Sequence, residues 1–497
     1  MEIKDALQKL EALQKKIYAY TAASSSLYFD GLTAAPSDTA QGRGMALGIL
    51  AGEQQRLMTS RETGELLHFL SERKEKLPLM QQRQTEMLWR DYQKLLRIPE
   101  QEYMEFTMIT NEATDIWHKA KEQNDFAMYQ PFLEKVVAYL RKFAGYYSPD
   151  KKPYDALLNE FERGVDTEFL DSFFAVLRER IVPLLRKIRE KEQIDDSFLH
   201  KTYPIAAQRR FSDYLMHVMG IDRTHCSITE SEHPFTLGFH NKDVRITTNY
   251  KENDVSSSMY SVIHEGGHAI YELGVRDELQ YTCLSGGASM GIHESQSRFY
   301  ENIIGRSRAF IHLIFPKMQE LFPEQLKDVT ADQMYRAVNK VEASLIRTEA
   351  DELTYCLHIM VRYEIEKQLI GGTMEVGEIP EVWNRLYREY LGVDVPDNRQ
   401  GCLQDIHWCE SFGYFPSYAL GNAYGAQMLQ NMEKELDVWE KVENGDLSAI
   451  TGWLRQNVHQ HGSFLEPSQI VQLACGDFEP TVYVDYLVKK YTEIYEL

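Results

Sequence analysis

The sequence predicts a mainly α-helical protein that carries one small β-sheet. Along nearly the whole chain, apolar residues recur at three- and four-residue spacing. One stretch near the middle alternates instead, at the period of a strand. Just after that stretch, His264-Glu265-Gly266-Gly267-His268 has the form H-E-x-x-H, and a helix places its two histidines on one face.

Taken in order, residues 2–24 set Leu7, Leu10, Leu13, Ile17 and Tyr18 on one stripe. Similar stripes run through about 40–72, 78–95, 99–123, 127–146 and 166–191. Tyr147-Ser148-Pro149-Asp150 followed by Lys151-Lys152-Pro153 is the clearest loop of the first half. Over 233–250, two β-prone runs flank the polar turn His240-Asn241-Lys242-Asp243, which predicts a hairpin. In its second run Val244, Ile246 and Thr248 alternate with Arg245, Thr247 and Asn249. Ser256-Ser257-Ser258 is expected to cap the motif helix, which should stop near Gly274. The Gly/Ser-rich loop 285–289 leads to His293-Glu294-Ser295-Gln296 and a helix of about 293–313. A long helical segment is expected from about 331 to 370. The final part, 402–497, is again helical, with an interruption at 411–418. No fixed-period repeat or low-complexity tract is present.

A chain of 497 residues accommodates about three average domains or one large helical body. The expected organisation is a single catalytic unit over 1–497, with a mainly helical half (1–230) and a half that carries the metal site (231–497). The net charge of −21 argues against a nucleic-acid partner and against anionic membrane surfaces. No apolar run is long enough to span a bilayer, and the N-terminal residues enter an amphipathic pattern rather than an apolar leader. The six cysteines form no C-x-x-C pair, so free buried thiols and a reducing cytoplasmic location are expected.

The H-E-x-x-H stretch carries chemistry. Two imidazoles at i and i+4 can reach one ion, and Glu265 lies beside the first of them. A zinc ion lowers the pKa of a water it holds to about 7, and a neighbouring carboxylate can take that proton. Catalytic zinc takes three protein ligands and keeps one open position. The third ligand must come from outside the motif. Glu294 is the preferred candidate, on a second helix, with Glu272, Glu278 and Glu301 as competitors. Glu272 shares the His268 face but sits on the same helix, where it reaches the ion poorly. Gly266 and Gly267 each cost roughly 1 kcal/mol in a helix relative to alanine, which suggests close approach of a backbone or a substrate.

Six motifs in order then resemble the M32 metallocarboxypeptidases, the carboxypeptidase Taq type. They are His233-Pro234-Phe235, Asp243-Val244-Arg245-Ile246-Thr247, His264 to His268, His293-Glu294-Ser295-Gln296, Ile346-Arg347-Thr348-Glu349-Ala350-Asp351, and Gly401-Cys402-Leu403-Gln404-Asp405-Ile406-His407-Trp408. Gly413-Tyr414-Phe415-Pro416-Ser417-Tyr418 also fits. One departure lies near the N-terminus. The family often has Trp-Asp-x-x-Thr-x-Met-Pro there, and this chain has Phe29-Asp30-Gly31-Leu32-Thr33-Ala34-Ala35-Pro36.

The resemblance implies a large helical zincin with a deep groove, related in shape to neurolysin and angiotensin-converting enzyme, with the small sheet beside the H-E-x-x-H helix. It implies a homodimer that removes single residues from peptide C-termini with broad tolerance, using one Zn²⁺ per chain, or Co²⁺ as a substitute. It implies metal ligands His264, His268 and Glu294, with Glu265 as general base. His407 and Tyr418 match in type and spacing the relatives' oxyanion donors. A terminal carboxylate is recognised well by arginine, and Arg347 is the first choice, Arg245 the second. His233, which opens the first motif, is placed with the substrate-binding residues. Asp351 and Gln404 are candidates for orienting the ligand histidines. Two rival readings remain at this point: an oligopeptidase or dipeptidyl-carboxypeptidase on the same metal site, and a helical binding scaffold with a vestigial one.

Overall fold

From Ile3 to Arg189 every regular element is helical. The structure, a computed structural model, describes all 497 residues and every side chain except that of Ser37. Helices span Ile3–Thr33, Ala40–Thr59, Arg61–Ser71, Leu79–Arg97, Glu100–Gln123, Phe126–Tyr147, Pro153–Phe161 and Thr167–Arg189. The stripe expected over 40–72 is therefore two helices. Ser60 is extended, and its hydroxyl accepts the N–H of Thr63, so it caps the second helix where the first ends. The loop after Tyr147 lies where the prolines place it, and Pro153 opens the next helix.

Two interiors hold these helices. A small one joins Leu10 and Leu13 of the first helix to Leu66, Leu67, Leu70 and Leu88. The large one runs from Ala113 to Tyr495 without a break, so residues 113–221 share their core with the metal-site half. Helix Ala40–Thr59 buries none of its residues. No described helix is long and apolar enough to cross a membrane.

The sheet has three strands: β1 (Cys226–Glu230), β2 (Thr236–His240) and β3 (Asp243–Thr248), in the order β1-β3-β2. The predicted hairpin is β2 antiparallel to β3, turning at Asn241 and Lys242, with a register shift between Gly238 and His240. The sequence reading missed β1, which pairs parallel to β3. Its Ser-Ile-Thr-Glu run is too short and too polar to stand out as alternation. Val244 and Ile246 of β3 are fully buried under the motif helix.

That helix spans Val255–Gly274. Its cap is Asp254, whose carboxylate accepts the Ser257 N–H at 3.2 Å, not the serine run. The helix expected over 293–313 is interrupted. It runs as Met290–Arg298, widens to a π-helical Phe299–Ile304, and breaks at Gly305 before Arg308–Leu321. The segment expected over 331–370 is also divided, into Ala331–Val338 and Glu352–Gly371. Asp351 starts the second by accepting the N–H groups of Leu353 and Thr354, which leaves Arg347 in a short turn between the two. Helix Phe415–Met432 follows the expected interruption, with Pro416 in its first turn.

Candidate metal centre and peptide cleft

The motif helix and the Met290–Arg298 helix pack so closely that only glycine fits between them. A Cβ on Gly267 would stand 2.7 Å from both the Gln296 carbonyl oxygen and the Ser297 Cα. On the far side of Glu294, a Cβ on Gly421 would meet the Glu294 side chain at 2.7 Å. Glu294 is thereby wedged against the H-E-x-x-H face. Ligand atoms of His264, His268 and Glu294 lie within 4.8 Å of one another. Oε2 of Glu294 stands 3.8 Å from Nε2 of His264 and 3.6 Å from Nε2 of His268.

The groups behind these donors fit a metal. Nδ1 of His264 lies 2.7 Å from the Glu301 carboxylate, which accepts its proton and leaves Nε2 with a free lone pair. His268 reaches the same state by a relay. Its Nδ1 is 2.6 Å from Nδ1 of His293, and Nε2 of His293 is 2.8 Å from Glu272. If Nε2–H of His293 donates to Glu272, Nδ1 of His293 accepts from His268, and Nε2 of His268 also faces inward as a lone pair. Arg298 donates to Oε1 of Glu294 at 2.6 Å, leaving Oε2 toward the histidines. Two imidazoles and one carboxylate with fixed tautomers form a donor set suited to zinc.

This geometry sorts the competing glutamates. Glu301 supports His264, Glu272 supports His293, and Glu278 is exposed in a distant turn. The expectation that Asp351 or Gln404 orients the ligand histidines is not met. Asp351 caps a helix, and Gln404 accepts the Arg347 N–H and a proton of Arg362. Glu301 and His293 occupy that place instead.

Glu265 is 7% exposed, and the Thr236 hydroxyl of β2 donates to its carboxylate at 2.6 Å. Burial pushes its carboxyl above the ordinary range, against the pull of His264 and Thr236. A cavity of about 840 Å³ opens in front of these groups. His264, Glu265, Glu294, Arg347 and Tyr418 all line it. His407 stands behind Tyr418, with 3.5 Å between Nε2 and the phenol oxygen. Burial lowers the His407 imidazole to about 4, so the ring is neutral near pH 7, and burial holds the Tyr418 phenol well above its usual value, so it keeps its proton.

Arg347 is 7% exposed at the cavity wall. Its Nε and Nη2 donate to one oxygen of Asp405 at 3.0 and 2.8 Å, and Arg362 donates to the other oxygen of the same carboxylate. Two guanidiniums on one carboxylate leave this three-residue cluster with a net positive charge. Asp405 is thus the partner of Arg347. Arg245 is not at the cavity. It forms a two-point pair with Asp243 at 2.9 and 2.8 Å and lies over the Phe239 ring. His233 is exposed and outside the cavity lining, although its neighbour Pro234 is in it. Sequence reasoning missed Thr236, His293, Arg298 and Tyr355 as parts of the site. Of these, only His293 lay inside a quoted motif, and it was not singled out there.

The carboxypeptidase Taq (M32) metallopeptidase family profile matches residues 9–491. Carboxypeptidase 1 of Bacillus subtilis (strain 168) is 39% identical, with 100% of each chain covered. Thermostable carboxypeptidase 1 of Thermus thermophilus is 36% identical, with 99% of each chain covered. The crystal structure of the M32 carboxypeptidase from Deinococcus radiodurans R1 superposes with a TM-score of 0.97 at 35% identity, covering 99% of this chain and 100% of that one. With a metal-competent donor set, an adjacent buried glutamate and full-length similarity of this kind, the chain belongs to the carboxypeptidase Taq (M32) metallopeptidases, and it is a metallocarboxypeptidase of helical zincin-like fold.

Proposed function

We propose that the chain acts as one catalytic unit over 1–497 that removes single residues from the free C-termini of peptides. The observation that carries this reading is that Arg347, which shares Asp405 with a second guanidinium, lines the same cavity as His264, Glu294 and Glu265. His264, His268 and Glu294 hold one Zn²⁺, for which Co²⁺ substitutes. When bound, the ion supplies Lewis-acid activation of a water and of the scissile carbonyl.

The chain's own residues do the rest. Glu265 takes a proton from the attacking water and returns it to the leaving amine. The Thr236 hydroxyl fixes the orientation of that carboxylate. Tyr418 donates to the oxygen where negative charge develops, and the neutral His407 behind it holds the phenol in place. Arg347 takes the terminal carboxylate. Recognition at the carboxylate does not involve the departing side chain, which supports broad tolerance.

A homodimer is supported by exposed apolar residues on helices of the N-terminal half, such as Met45, Ile49, Met104 and Met108. A cytoplasmic location is supported by six free cysteines. The experiment is mass spectrometry of digests of one short peptide in free and amidated forms. The parent should release single residues from the free form and cut the amide poorly. Arg347→Ala should lose about one to two orders of magnitude in kcat/KM on the free form alone, as expected for a charged hydrogen bond of roughly 1.5–3 kcal/mol. Equal free-to-amide ratios in parent and variant would remove Arg347 from the carboxylate site and favour an oligopeptidase.

A further inference from the structure

Between the metal ligands and Arg347 stands a tyrosine with an unspent proton. Tyr355 begins the second turn of helix Glu352–Gly371, is 5% exposed, and lines the cavity. Nη1 of Arg347 donates to its phenol oxygen at 3.3 Å. An oxygen that accepts from a guanidinium directs its own hydrogen elsewhere, and among the described residues Tyr355 donates to no protein group. Two neighbours hold the ring. The Arg298 guanidinium lies 4.3 Å from its centroid while also donating to Glu294, and the Tyr418 ring meets it edge-on at 6.3 Å. A buried hydroxyl whose proton has no protein acceptor, beside a positively charged arginine, suits a ligand that is only an acceptor and carries negative charge. The terminal carboxylate of a peptide is such a ligand.

We propose that Tyr355 is a specificity-determining residue for free C-termini: its hydroxyl donates to the substrate carboxylate alongside the guanidinium of Arg347. The carboxylate then has a charged donor and a neutral one, and the arginine keeps its own position through Asp405. An amidated terminus presents a nitrogen that donates rather than accepts, so it leaves one of the two donors facing another donor. This inference rests on the assignment of Arg347 to the carboxylate, and the test separates the two.

The metal-loaded enzyme is compared as parent, Tyr355→Phe, Arg347→Ala and the double variant, on the free and amidated forms of one peptide. Phenylalanine keeps the ring between Arg298 and Tyr418, so metal content and melting temperature report whether the site is intact. Tyr355→Phe should raise KM for the free peptide about tenfold while kcat stays within about twofold, and the free-to-amide ratio of kcat/KM should fall in proportion. In the Arg347→Ala background the same replacement should cost much less, because the two donors serve one ligand. An unchanged KM, a fall in kcat at constant KM, or an equal loss on the amide would overturn the assignment. If Tyr355→Phe loses the ratio while Arg347→Ala keeps it, the arginine assignment fails and the tyrosine's stands. The opposite pattern removes the tyrosine alone.

Discussion

Glu265 and Glu294 are buried glutamates of one cleft, and their neighbours fit them for different work. Glu294 is gripped by Arg298, which donates to one carboxylate oxygen, and by the Ser297 hydroxyl, which donates to the other. Glu265 has one hydroxyl donor and no arginine, and burial raises its carboxyl, which suits a group that must take and return a proton. Glu265→Gln keeps the shape and the Thr236 contact but cannot accept a proton. Its metal content by elemental analysis should match the parent, while turnover falls by roughly 10²–10⁴-fold. Retained turnover would exclude Glu265 as the base. Asp405 is the contrasting case, a carboxylate whose work is structural. Arg362 and Arg347 hold it well below the usual carboxylate range. A carboxyl depressed in the folded state contributes stability above its unfolded value, and that contribution is lost as pH falls through the folded value. Asp405→Asn leaves two buried guanidiniums without a counter-charge, so it should cost about 3–5 kcal/mol at pH 7. Denaturant melts should show the gap between parent and variant narrowing in acid. A gap independent of pH would mean that the ion pair is not its source.

At the scale of elements, the site depends on how closely two helices approach. Gly267→Ala places a methyl against the Gln296–Ser297 backbone, where no side chain can swing away. The helices must then separate, and Glu294 moves with its helix. The variant should bind zinc more weakly by about 10–100-fold, the range seen when groups supporting metal ligands are disturbed, while Gly42→Ala on an open helix face should not. Competition with a chelator measures this, and parental affinity in Gly267→Ala would show that the contact is slack. Such contacts explain what the sequence could and could not convey. The H-E-x-x-H helix and the β2–β3 hairpin are local in their causes, being a repeat of 3.6, an alternation of 2 and a polar turn, so they were legible. The paired glycines signalled close approach without naming the partner. The breaks at Gly305 and at 339–351 escaped because apolar spacing continues across them, while what ends each helix is a cap or a side-chain contact. Asn339, for example, donates to the Arg306 carbonyl from 33 residues away. The relay from His268 through His293 to Glu272, and the sharing of Asp405 by two arginines, join residues whose proximity only the fold creates.

Over the whole molecule, stability is unevenly distributed, and the weak part lies toward the N-terminus. Helices Glu352–Gly371 and Phe415–Met432 are buried along most of their length in the large core. Helix Ala40–Thr59 buries nothing, exposes Met45 at 67% and Ile49 at 59%, and contains Gly42, Gly44, Gly48 and Gly52. Each interior glycine costs roughly 1 kcal/mol relative to alanine, and the packing that offsets it is slight, with Leu57 and Met58 at the helix end only partly buried against the small core. The helix before it reaches the sheet at the cleft, where Phe29 meets Phe235 at 5.8 Å, so opening of this layer is felt near the site. Amide hydrogen exchange should therefore divide the chain. Amides of 40–59 should exchange through local opening, orders of magnitude faster than those of 352–371, which should wait for global unfolding. Dilution adds a second reading. If two copies of the chain meet through Met45 and Ile49, protection of 40–59 should rise with protein concentration while that of 352–371 stays constant. Exchange of 40–59 as slow as 352–371 at every dilution would show that this helix is stabilised within one chain, contrary to its exposure.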